Sequence, residues 1–297
     1  MMNKSAATAA KSSDNAPFIK TNVGSRTQRL IALLIVAHFT LPTYGVAQTS
    51  RIETLSKRLK SAYPADIANI SDGVVVFNDG TRLSLDDGKE EKSFADWLAQ
   101  PDIEDMFRFE YRADKNIEAP PKNFDPGRAR NVKFFNKIYG NCANGEVAKH
   151  LVDITWLPKK SGTRIKVSSL NGVAEKFRAV SAELDKLPSR FDAYLVPTAG
   201  TYVCRNIAGT NTPSAHGYGI AIDIAIKNAD YWRWSKHNRT LTKSGDAEAA
   251  ARQYRNRIPI EIVQIFEKHG FIWGGRWYHY DTMHFEYRPE LLPPISQ

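Results

Sequence analysis

The chain has 297 residues, 42% of them hydrophobic and 25% charged, which is an ordinary composition for one or two globular domains. The formal net charge is +9, but residues 1–47 carry five basic side chains and one acidic one, which leaves +5 for the remainder. Because the remainder is only modestly basic and shows no basic stripe, we expect no nucleic-acid partner. Attraction to an anionic polymer such as a bacterial wall fits this charge.

Residues 1–47 are predicted to be an export signal. Arg26 and Arg29 precede an apolar run at 30–41, and small residues at 45–47 suit cleavage by a signal peptidase. The run is shorter than the roughly 20 residues that a membrane span requires, so a cleaved signal is favoured over an uncleaved anchor. We therefore expect an exported protein, in the periplasm or at the cell wall, with no stable membrane anchor after processing.

Residues 48–127 are predicted to be a small N-terminal extension. Two strands at 74–77 and 81–85 flank Asn78-Asp-Gly80, which is a strong signal for a β-hairpin. A proline-rich connector at 119–127 marks the boundary of the extension. No chemistry is predicted for this part of the chain.

The remaining residues, 128–297, mix strands and helices without a repeated βαβ pattern. This favours an α+β fold with an antiparallel sheet and flanking helices. The predicted helices are a short one ending at Gly140, one at 173–184 with Asn171 as its N-cap, and one at 259–270 that Pro259 begins and Gly270 ends. The predicted strands lie at 164–168, 193–196, 201–204 and 220–226.

The two cysteines, Cys142 and Cys204, are predicted to form a disulfide. In an exported protein an even number of cysteines is more often paired than free. Neither residue belongs to a CxxC pattern, so a zinc site built on thiolates is not expected.

A first motif contains His216 and Asp223. In a strand over 220–226 the isoleucines face one side, and Asp223 lies among alanines on the other side, with room for an ion. Gly217 and Gly219 permit a tight turn that returns His216 over that face. Either residue alone would be interpreted as a surface aspartate or a loop histidine, but together they favour a metal site.

A second motif contains His284, and strand periodicity places Glu286 and Arg288 on the same face as this histidine. Asp281 precedes His284 by three residues, so it faces the metal only if residues 281–283 form a turn or begin the strand. Periodicity therefore leaves Asp281 and Glu286 as equal candidates for a general base. Two histidines and one carboxylate are the ligand set of an open catalytic zinc site, in which a fourth position holds a water of lowered pKa.

The pattern Ser-x-His-x-x-Gly-x-Ala-x-Asp at 214–223, followed by acid-x-x-His at 281–284, resembles a known family. It is similar to the zinc peptidases that act as D-alanyl-D-alanine carboxypeptidases and L-alanyl-D-glutamate endopeptidases, among them the vancomycin-resistance D,D-peptidases and several phage endolysins. The similarity includes residues 274–281 and extends over about 128–292. It implies a hedgehog/DD-peptidase-like fold and a zinc peptidase domain at 128–297.

The resemblance implies that His216, Asp223 and His284 bind Zn²⁺ and that Asp281 is the general base. The vancomycin-resistance members carry glutamate in the place of Asp281, and aspartate there is similar to the endopeptidase-like branch. Arg205 matches an arginine of the family that suits a substrate carboxylate or a developing oxyanion, although a surface ion pair is its alternative role.

Several further side chains are candidates for the substrate cleft or for its support. His279 is a spare candidate ligand or a donor to a ligand, with a supporting role favoured. Ser214 contacts substrate or shapes its turn, and the aromatic candidates line the cleft or belong to the core. The candidates for substrate contact are Ser214, Tyr218, Trp277 and Tyr280.

The sequence thus predicts a zinc metallopeptidase that hydrolyses D-amino-acid-containing bonds of peptidoglycan stem peptides, with D-alanyl-D-alanine carboxypeptidase activity favoured. The alternatives are an L-alanyl-D-glutamate endopeptidase, a non-catalytic zinc-bearing module that binds the wall, and a periplasmic protease with protein substrates. The presence of Asp281 beside intact ligands argues against the non-catalytic module. Peptidoglycan peptides are the expected partners, and the chain is expected to be a monomer.

Overall fold

The structure is a computed structural model, and it describes residues 44–89, 91–234 and 253–293. All but the last four residues of the predicted export signal therefore lie outside the described residues. Those four residues, 44–47, belong to the first helix. Among the described helices, none combines the length and the apolar character that crossing a membrane requires.

Helices and short strands are mixed along the chain without regular alternation, and the α+β prediction is confirmed. The α-helices are α1 (Tyr44–Ala62), α2 (Phe94–Ala99), α3 (Val132–Tyr139), α4 (Val173–Leu184), α5 (Asp192–Leu195) and α6 (Ile260–Lys268). The strands are β1 (Ile67–Ser71), β2 (Val74–Phe77), β3 (Arg82–Ser84), β4 (Leu151–Trp156), β5 (Thr163–Ser168), β6 (Ala221–Asp223), β7 (Phe271–Trp273) and β8 (His284–Tyr287). They form three antiparallel sheets, ordered β1-β2-β3, β4-β5 and β6-β8-β7.

The predicted hairpin in the N-terminal extension is confirmed. β2 and β3 pair with Val76 opposite Arg82, and Gly80 in the turn has a φ of 86°. Only glycine adopts that conformation without strain, which is why the Asn-Asp-Gly sequence is a dependable turn signal. Val75 and Phe77 are buried, so the hairpin presents one face to the core.

The third sheet determines where the two sequence motifs meet. β8 is its central strand and pairs Asp223 of β6 with His284, and Trp273 of β7 with Phe285. The ring of Phe285 stacks on Phe266 of α6 at a centroid distance of 3.9 Å. One face of β8 is thus fixed in the core, and the alternation of a strand presents His284 on the opposite face.

The core continues across the boundary predicted at residue 127. Tyr63, which follows α1, packs edge-to-face against Phe134 of α3 with ring centroids 5.2 Å apart, and Phe77 lies 6.0 Å from the same ring. All three side chains are buried in one hydrophobic cluster that also contains Phe285 of β8. The extension and the region after it share this cluster, and the division into separate domains stays a prediction.

Two predicted strands, 193–196 and 201–204, are wrong. The first is the short helix α5, in which Val196 donates its N–H to the carbonyl of Asp192, four residues earlier, and Leu195 is buried. The second forms no strand: Val203 donates to the carbonyl of His216, and only Gly200 forms a bridge with Asp223. Apolar runs of four residues do not distinguish a strand from a helical turn or a loop.

Three local details also differ from prediction. The strand predicted over 220–226 ends at Asp223, because Ala225 adopts a left-handed φ of 56° and the next residue, Ile226, is 50% exposed rather than buried. Asn171 does not cap α4, because the left-handed Gly172 precedes the helix and the Asn171 amide donates to the Tyr139 hydroxyl instead. Pro259 lies one residue before α6, and Gly270 follows the end of that helix as predicted.

Candidate metal centre

His216 is carried by a short 3₁₀ turn, Ala215–Tyr218, and the residue after it, Gly219, accepts a backbone hydrogen bond from Ser168 of β5. Gly219 ends this turn with a φ of 70°, and a Cβ atom there would lie 2.9 Å from a methyl group of Leu151, so no other residue fits without displacement. The Nδ1 atom of His216 lies 2.5 Å from the carbonyl oxygen of Thr201. Since a carbonyl only accepts, Nδ1 carries the proton and Nε2 is turned to the other side.

A disulfide joins Cys142 to Cys204 and lies against the turn that carries His216. A Cβ atom on Gly217 would be only 3.3 Å from the Cys142 sulfur. The bridge therefore links the 3₁₀ turn after α3 to the loop that precedes the first motif.

Asp223 and His284 face each other across the β6-β8 pair. The Oδ1 atom of Asp223 lies 3.0 Å from Nδ1 of His284 and 3.2 Å from Nε2 of His216. The ligand atoms of the three residues, which we call the metal centre, all lie within 4.8 Å of one another. The metal centre is thus assembled from side chains that the sequence places 7 and 61 residues apart.

The donor atoms of the metal centre fit a zinc ion. His284 donates its outer N–H, Nε2, to Glu286 over 3.1 Å, just as His216 donates Nδ1 to Thr201. The inner ring nitrogens and the Asp223 oxygen therefore point their lone pairs towards one another. Only a proton or a metal cation placed between them can accept these lone pairs. Two imidazoles and one carboxylate, with the outer nitrogens fixed by protein acceptors, are the ligand and support pattern of catalytic zinc sites.

The pKa values show that a positive charge is favoured at the metal centre. Burial alone would raise the pKa of Asp223, but hydrogen bonds from His216 and His284 hold it well below its usual range. Burial would lower the pKa of His284, yet hydrogen bonds to Asp223 and Glu286 raise it to about 10. Both shifts favour ionised carboxylates, with a positive charge between these carboxylates and the imidazole rings.

Glu286 lies behind the metal centre and is fully buried. Its carboxylate accepts from Nη1 of Arg130 at 2.8 and 3.0 Å and from Nη1 of Arg288 at 3.1 Å, in addition to His284. Burial would raise its pKa, but the charge of Arg130 and the hydrogen bond from His284 hold it far below its usual range. The structure therefore shows Glu286 as an ionised acceptor for His284, with both oxygens engaged.

Asp281 reaches the same cleft because residues 281–283 form a turn before β8, which is one of the two arrangements that the sequence left open. His284 donates its backbone N–H to the Asp281 carbonyl over 3.2 Å. A Cβ atom on Gly274 would lie 2.5 Å from that same carbonyl, so glycine permits the close approach.

The Oδ1 atom of Asp281 is buried and has no hydrogen-bond partner within the described residues. Burial and the nearby negative charge of Asp223 raise its pKa to about 7. A cation at the metal centre would act in the opposite direction, because it offsets the charge of Asp223. An unpaired carboxyl group beside a set of metal ligands is the feature expected of a general base.

Arg205 lies at the exposed rim of this cleft. Its Nη1 atom makes one long hydrogen bond, 3.4 Å, to the carbonyl of Asn206, and its charge slightly offsets the rise in the pKa of Asp281 that burial causes. The guanidinium is therefore close enough to influence Asp281 and keeps donors for another acceptor. The cleft has a volume of about 320 Å³.

The four candidates for substrate contact divide into two pairs. Ser214 and Trp277 line the cleft, and the Trp277 ring lies 5.8 Å from that of His284. The hydroxyl of Tyr218 instead donates to Asn136 of α3, and that of Tyr280 donates to the carbonyl of Gln253. Neither of these two tyrosines lines the cleft.

Sequence reasoning missed several residues of the cleft wall. Arg128 and Arg130 come from the segment that follows the proline-rich connector, and Tyr231 and Trp234 from the loop after the first motif. The connector also supplies the buried Asp125, which holds the ring of His279. No pattern in the sequence relates these residues to the two motifs, because they lie up to 156 residues from their partners.

Residues 208–287 match the sequence model of the D-alanyl-D-alanine carboxypeptidase family. The matched segment contains the whole metal centre and Asp281, whereas Arg205 and the N-terminal extension lie outside it. No curated protein and no solved structure matches the chain. The resemblance predicted from the two motifs is thus confirmed, and residues 208–287 are similar to a peptidase of the D-alanyl-D-alanine carboxypeptidase family.

Proposed function

We propose that this protein is a zinc-dependent peptidase that cleaves D-amino-acid-containing bonds in peptidoglycan stem peptides, and that it acts as a D-alanyl-D-alanine carboxypeptidase. The observation that carries the proposal is the convergence of three metal-binding atoms next to the unpaired carboxylate of Asp281. The family match at residues 208–287 supports the same class of reaction. An exported monomer at the cell wall is the setting in which we expect it to act.

His216, Asp223 and His284 would hold the zinc ion, with Thr201 and Glu286 fixing the rings from behind. A zinc ion in this place supplies a Lewis acid and lowers the pKa of water towards neutrality. The role of the protein is to keep both outer ring nitrogens protonated, so that the inner nitrogens remain available.

Asp281 is proposed to take a proton from the attacking water and to pass it to the departing amine. Its Oδ1 is buried and makes no hydrogen bond to the described part of the chain, so it can accept one from the attacking water. Positioned acid–base groups of this kind contribute about 10²- to 10⁴-fold to a rate. Arg205 is proposed to donate hydrogen bonds to the oxyanion that develops at the scissile carbonyl.

Peptidoglycan stem peptides are the proposed substrates because they are short and carry free carboxylates. The cleft of about 320 Å³ is of the size that a small ligand occupies, and Arg128 and Arg205 lie on its wall. An L-alanyl-D-glutamate endopeptidase is the second candidate, since the base is aspartate, as in the endopeptidase-like branch that the sequence resembles.

The decisive experiment is incubation of the zinc-loaded protein with defined muropeptides, followed by mass spectrometry of the products. Loss of a single alanine supports the carboxypeptidase. Cleavage between L-alanine and D-glutamate supports the endopeptidase. An unchanged substrate, with zinc bound, supports a wall-binding module and contradicts the proposal. The Asp281→Asn variant serves as the control for metal-dependent hydrolysis by a contaminant.

A further inference from the structure

Arg128 lies on the wall of the cleft and is fixed there by a buried acid. Its Nη1 donates to Oδ2 of Asp125 over 2.8 Å, and its backbone N–H donates to the carbonyl of the same residue over 3.1 Å. Asp125 is fully buried, and its carboxylate also accepts from the backbone N–H and from Nδ1 of His279, over 3.0 and 2.7 Å. The position of the Arg128 guanidinium is therefore set by a carboxylate that is itself held in place.

The ion pair with Asp125 occupies only part of this guanidinium. Within the described residues the side chain of Arg128 makes that one hydrogen bond, which leaves Nε and Nη2 as donors. The side chain is 16% exposed and lines the cleft. The neighbouring Arg130 is only 5% exposed, and it directs Nη1 to both oxygens of Glu286 behind the metal centre. Arg128 is therefore the arginine of this segment that can offer donors to a ligand in the cleft.

Electrostatic effects indicate that this guanidinium lies beside the proposed base. Burial and the charge of Asp223 raise the pKa of Asp281 to about 7, and Arg128 opposes that rise more strongly than Arg205 does. Because the interaction between two charges weakens with distance, Arg128 is the closer of the two arginines. Asp281 is proposed to pass a proton to the departing amine, so Arg128 lies on the side of the cleft where the departing residue is bound.

Both candidate reactions on peptidoglycan release a residue whose α-carboxylate is free. In D-alanyl-D-alanine the departing alanine carries the C-terminal carboxylate. Stem peptides continue through the side chain of D-glutamate, so a D-glutamate cut from L-alanine also keeps its α-carboxylate. In each case the carboxylate is attached to the same Cα as the departing nitrogen. Asp223 and Asp281, the acids that line the cleft, would repel this anion, so its binding requires a positively charged donor.

We propose that Arg128 binds the α-carboxylate of the residue that the reaction releases, through Nε and Nη2, and that Asp125 positions the guanidinium for this contact. The proposal rests on the proposed function and names a substrate contact that applies to either scissile bond. Arginine stays charged throughout the range in which proteins are folded, so the contact depends on no titration. It also assigns a role to the proline-rich connector, which supplies Asp125.

The test uses two pairs of synthetic stem peptides. The first pair ends in D-alanyl-D-alanine, as the free acid or as the C-terminal amide, and the second carries D-glutamate after L-alanine, with its α-carboxylate free or amidated. For the bond that the zinc-loaded wild type cleaves, Arg128→Gln should raise KM for the acid about 10- to 100-fold, the size of a hydrogen bond to a charged group. KM for the amide and the zinc content should change little. An effect exerted through Asp281 would act on acid and amide alike, so the comparison separates the two.

Arg128→Lys separates the substrate contact from the pairing with Asp125. Lysine keeps a positive charge near Asp125 but lacks the planar fork, so it should preserve the urea midpoint and restore only part of the affinity for the acid. The matched control is Arg178→Gln on α4, because Arg178 pairs with an acid three residues before it, Glu175, as Arg128 does. Arg178 is not among the residues that line the cleft, so this variant should leave KM unchanged for acid and amide.

Equal changes for acid and amide, or an unchanged KM for the acid, would overturn the proposal for Arg128. If the wild type cleaves neither bond, the proposed function fails, and calorimetric binding of the same four peptides to the zinc-loaded protein replaces the kinetic measurement. A preference for the acid that Arg128→Gln abolishes would then still support the carboxylate contact. Binding without such a preference, or no binding, would contradict the contact as well.

Discussion

Among the described residues, two groups of side chains each bring three possible metal-ligand atoms within 4.8 Å of one another, and the groups differ in how their charge is balanced. The acidic cluster of Asp86, Asp87 and Asp102 is paired with Lys92, whose ammonium lies 2.8 Å from Asp102 and 3.1 Å from Asp87. At the metal centre the described residues pair no lysine or arginine with Asp223, and only the two imidazoles approach it.

This is the difference that we expect between a metal site and a structural ion cluster. Lys92 has a 5% exposed side chain and a raised pKa, because its hydrogen bonds to three aspartates outweigh the effect of burial. The acidic cluster therefore carries its own permanent cation. At the proposed metal site the partners of Asp223 are imidazoles, which can exchange a proton for a metal ion. Five substitutions test this difference.

The largest effect is expected for His284→Ala. Removing one of three ligands should abolish stoichiometric zinc, measured by elemental analysis of the dialysed protein, because two ligands do not complete the site. His269→Ala, far from the cleft, should retain wild-type zinc. Full zinc content in His284→Ala would show that the metal centre is wrongly assigned.

Asp281→Asn should leave zinc in place but lower kcat about 10²- to 10⁴-fold, because the amide cannot accept the proton of water. Steady-state kinetics with the cleaved muropeptide, at several zinc concentrations, measures this. Excess zinc should not restore the rate, since the metal ligands are intact. A variant that turns over at the wild-type rate would remove Asp281 from the mechanism.

Glu286→Gln should weaken zinc binding about 10- to 100-fold, because Glu286 fixes the His284 ring and its ionised form strengthens that ligand. A competition titration with a chelator gives the affinity. Excess zinc should restore turnover, in contrast to Asp281→Asn. Glu175→Gln, an exposed glutamate on α4, is the matched control. Unchanged affinity would mean that Glu286 acts only in folding.

Lys92→Met should lower the free energy of unfolding by about 2 kcal/mol, because it leaves partly buried carboxylates without their cation. Zinc content and activity should not change. Lys89→Met, whose side chain is 65% exposed, should have almost no effect in the same urea titration. Loss of zinc from the Lys92 variant would show that the acidic cluster and the metal centre are not independent.

The last change concerns Asp125 and the pH dependence of stability. Because its pKa is lower in the folded protein than in the unfolded chain, Asp125 contributes stability that is complete above its unfolded pKa, near 4, and that is lost as the pH falls through the folded pKa. Asp125→Asn should therefore destabilise the protein by about 1–3 kcal/mol at pH 7 and by progressively less below pH 4. Urea titrations of both proteins over that range measure the difference. A constant difference would contradict an ionised Asp125.

Much of the site was predictable from the sequence, because its ligands lie in local patterns. The alternation of β6 correctly placed Asp223 opposite the buried isoleucines, and the glycines around Tyr218 correctly indicated the turn that carries His216. The orientation of Asp281 was not predictable, because a turn and an extended segment have the same three-residue spacing.

Other features depend on contacts between distant parts of the chain. Arg130 and Glu286 are 156 residues apart, and Asp125 and His279 are 154 apart. Periodicity describes only which residues share a face of one element, so it cannot relate a connector to a strand. The left-handed Ala225 that ends β6 early was missed for a related reason, since alanine gives no signal for that conformation.

The alternation of side chains along β8 also limits which insertions and deletions this segment tolerates. Phe285 fills the core between Phe266 and Trp273, while His284 and Glu286 face the metal centre. Deleting one residue from the turn at 281–283 would exchange these faces and place a phenylalanine beside Asp223 and a histidine in the core. In a library of single-codon deletions we expect this segment to be depleted, and the exposed β4-β5 turn at 159–162 to survive.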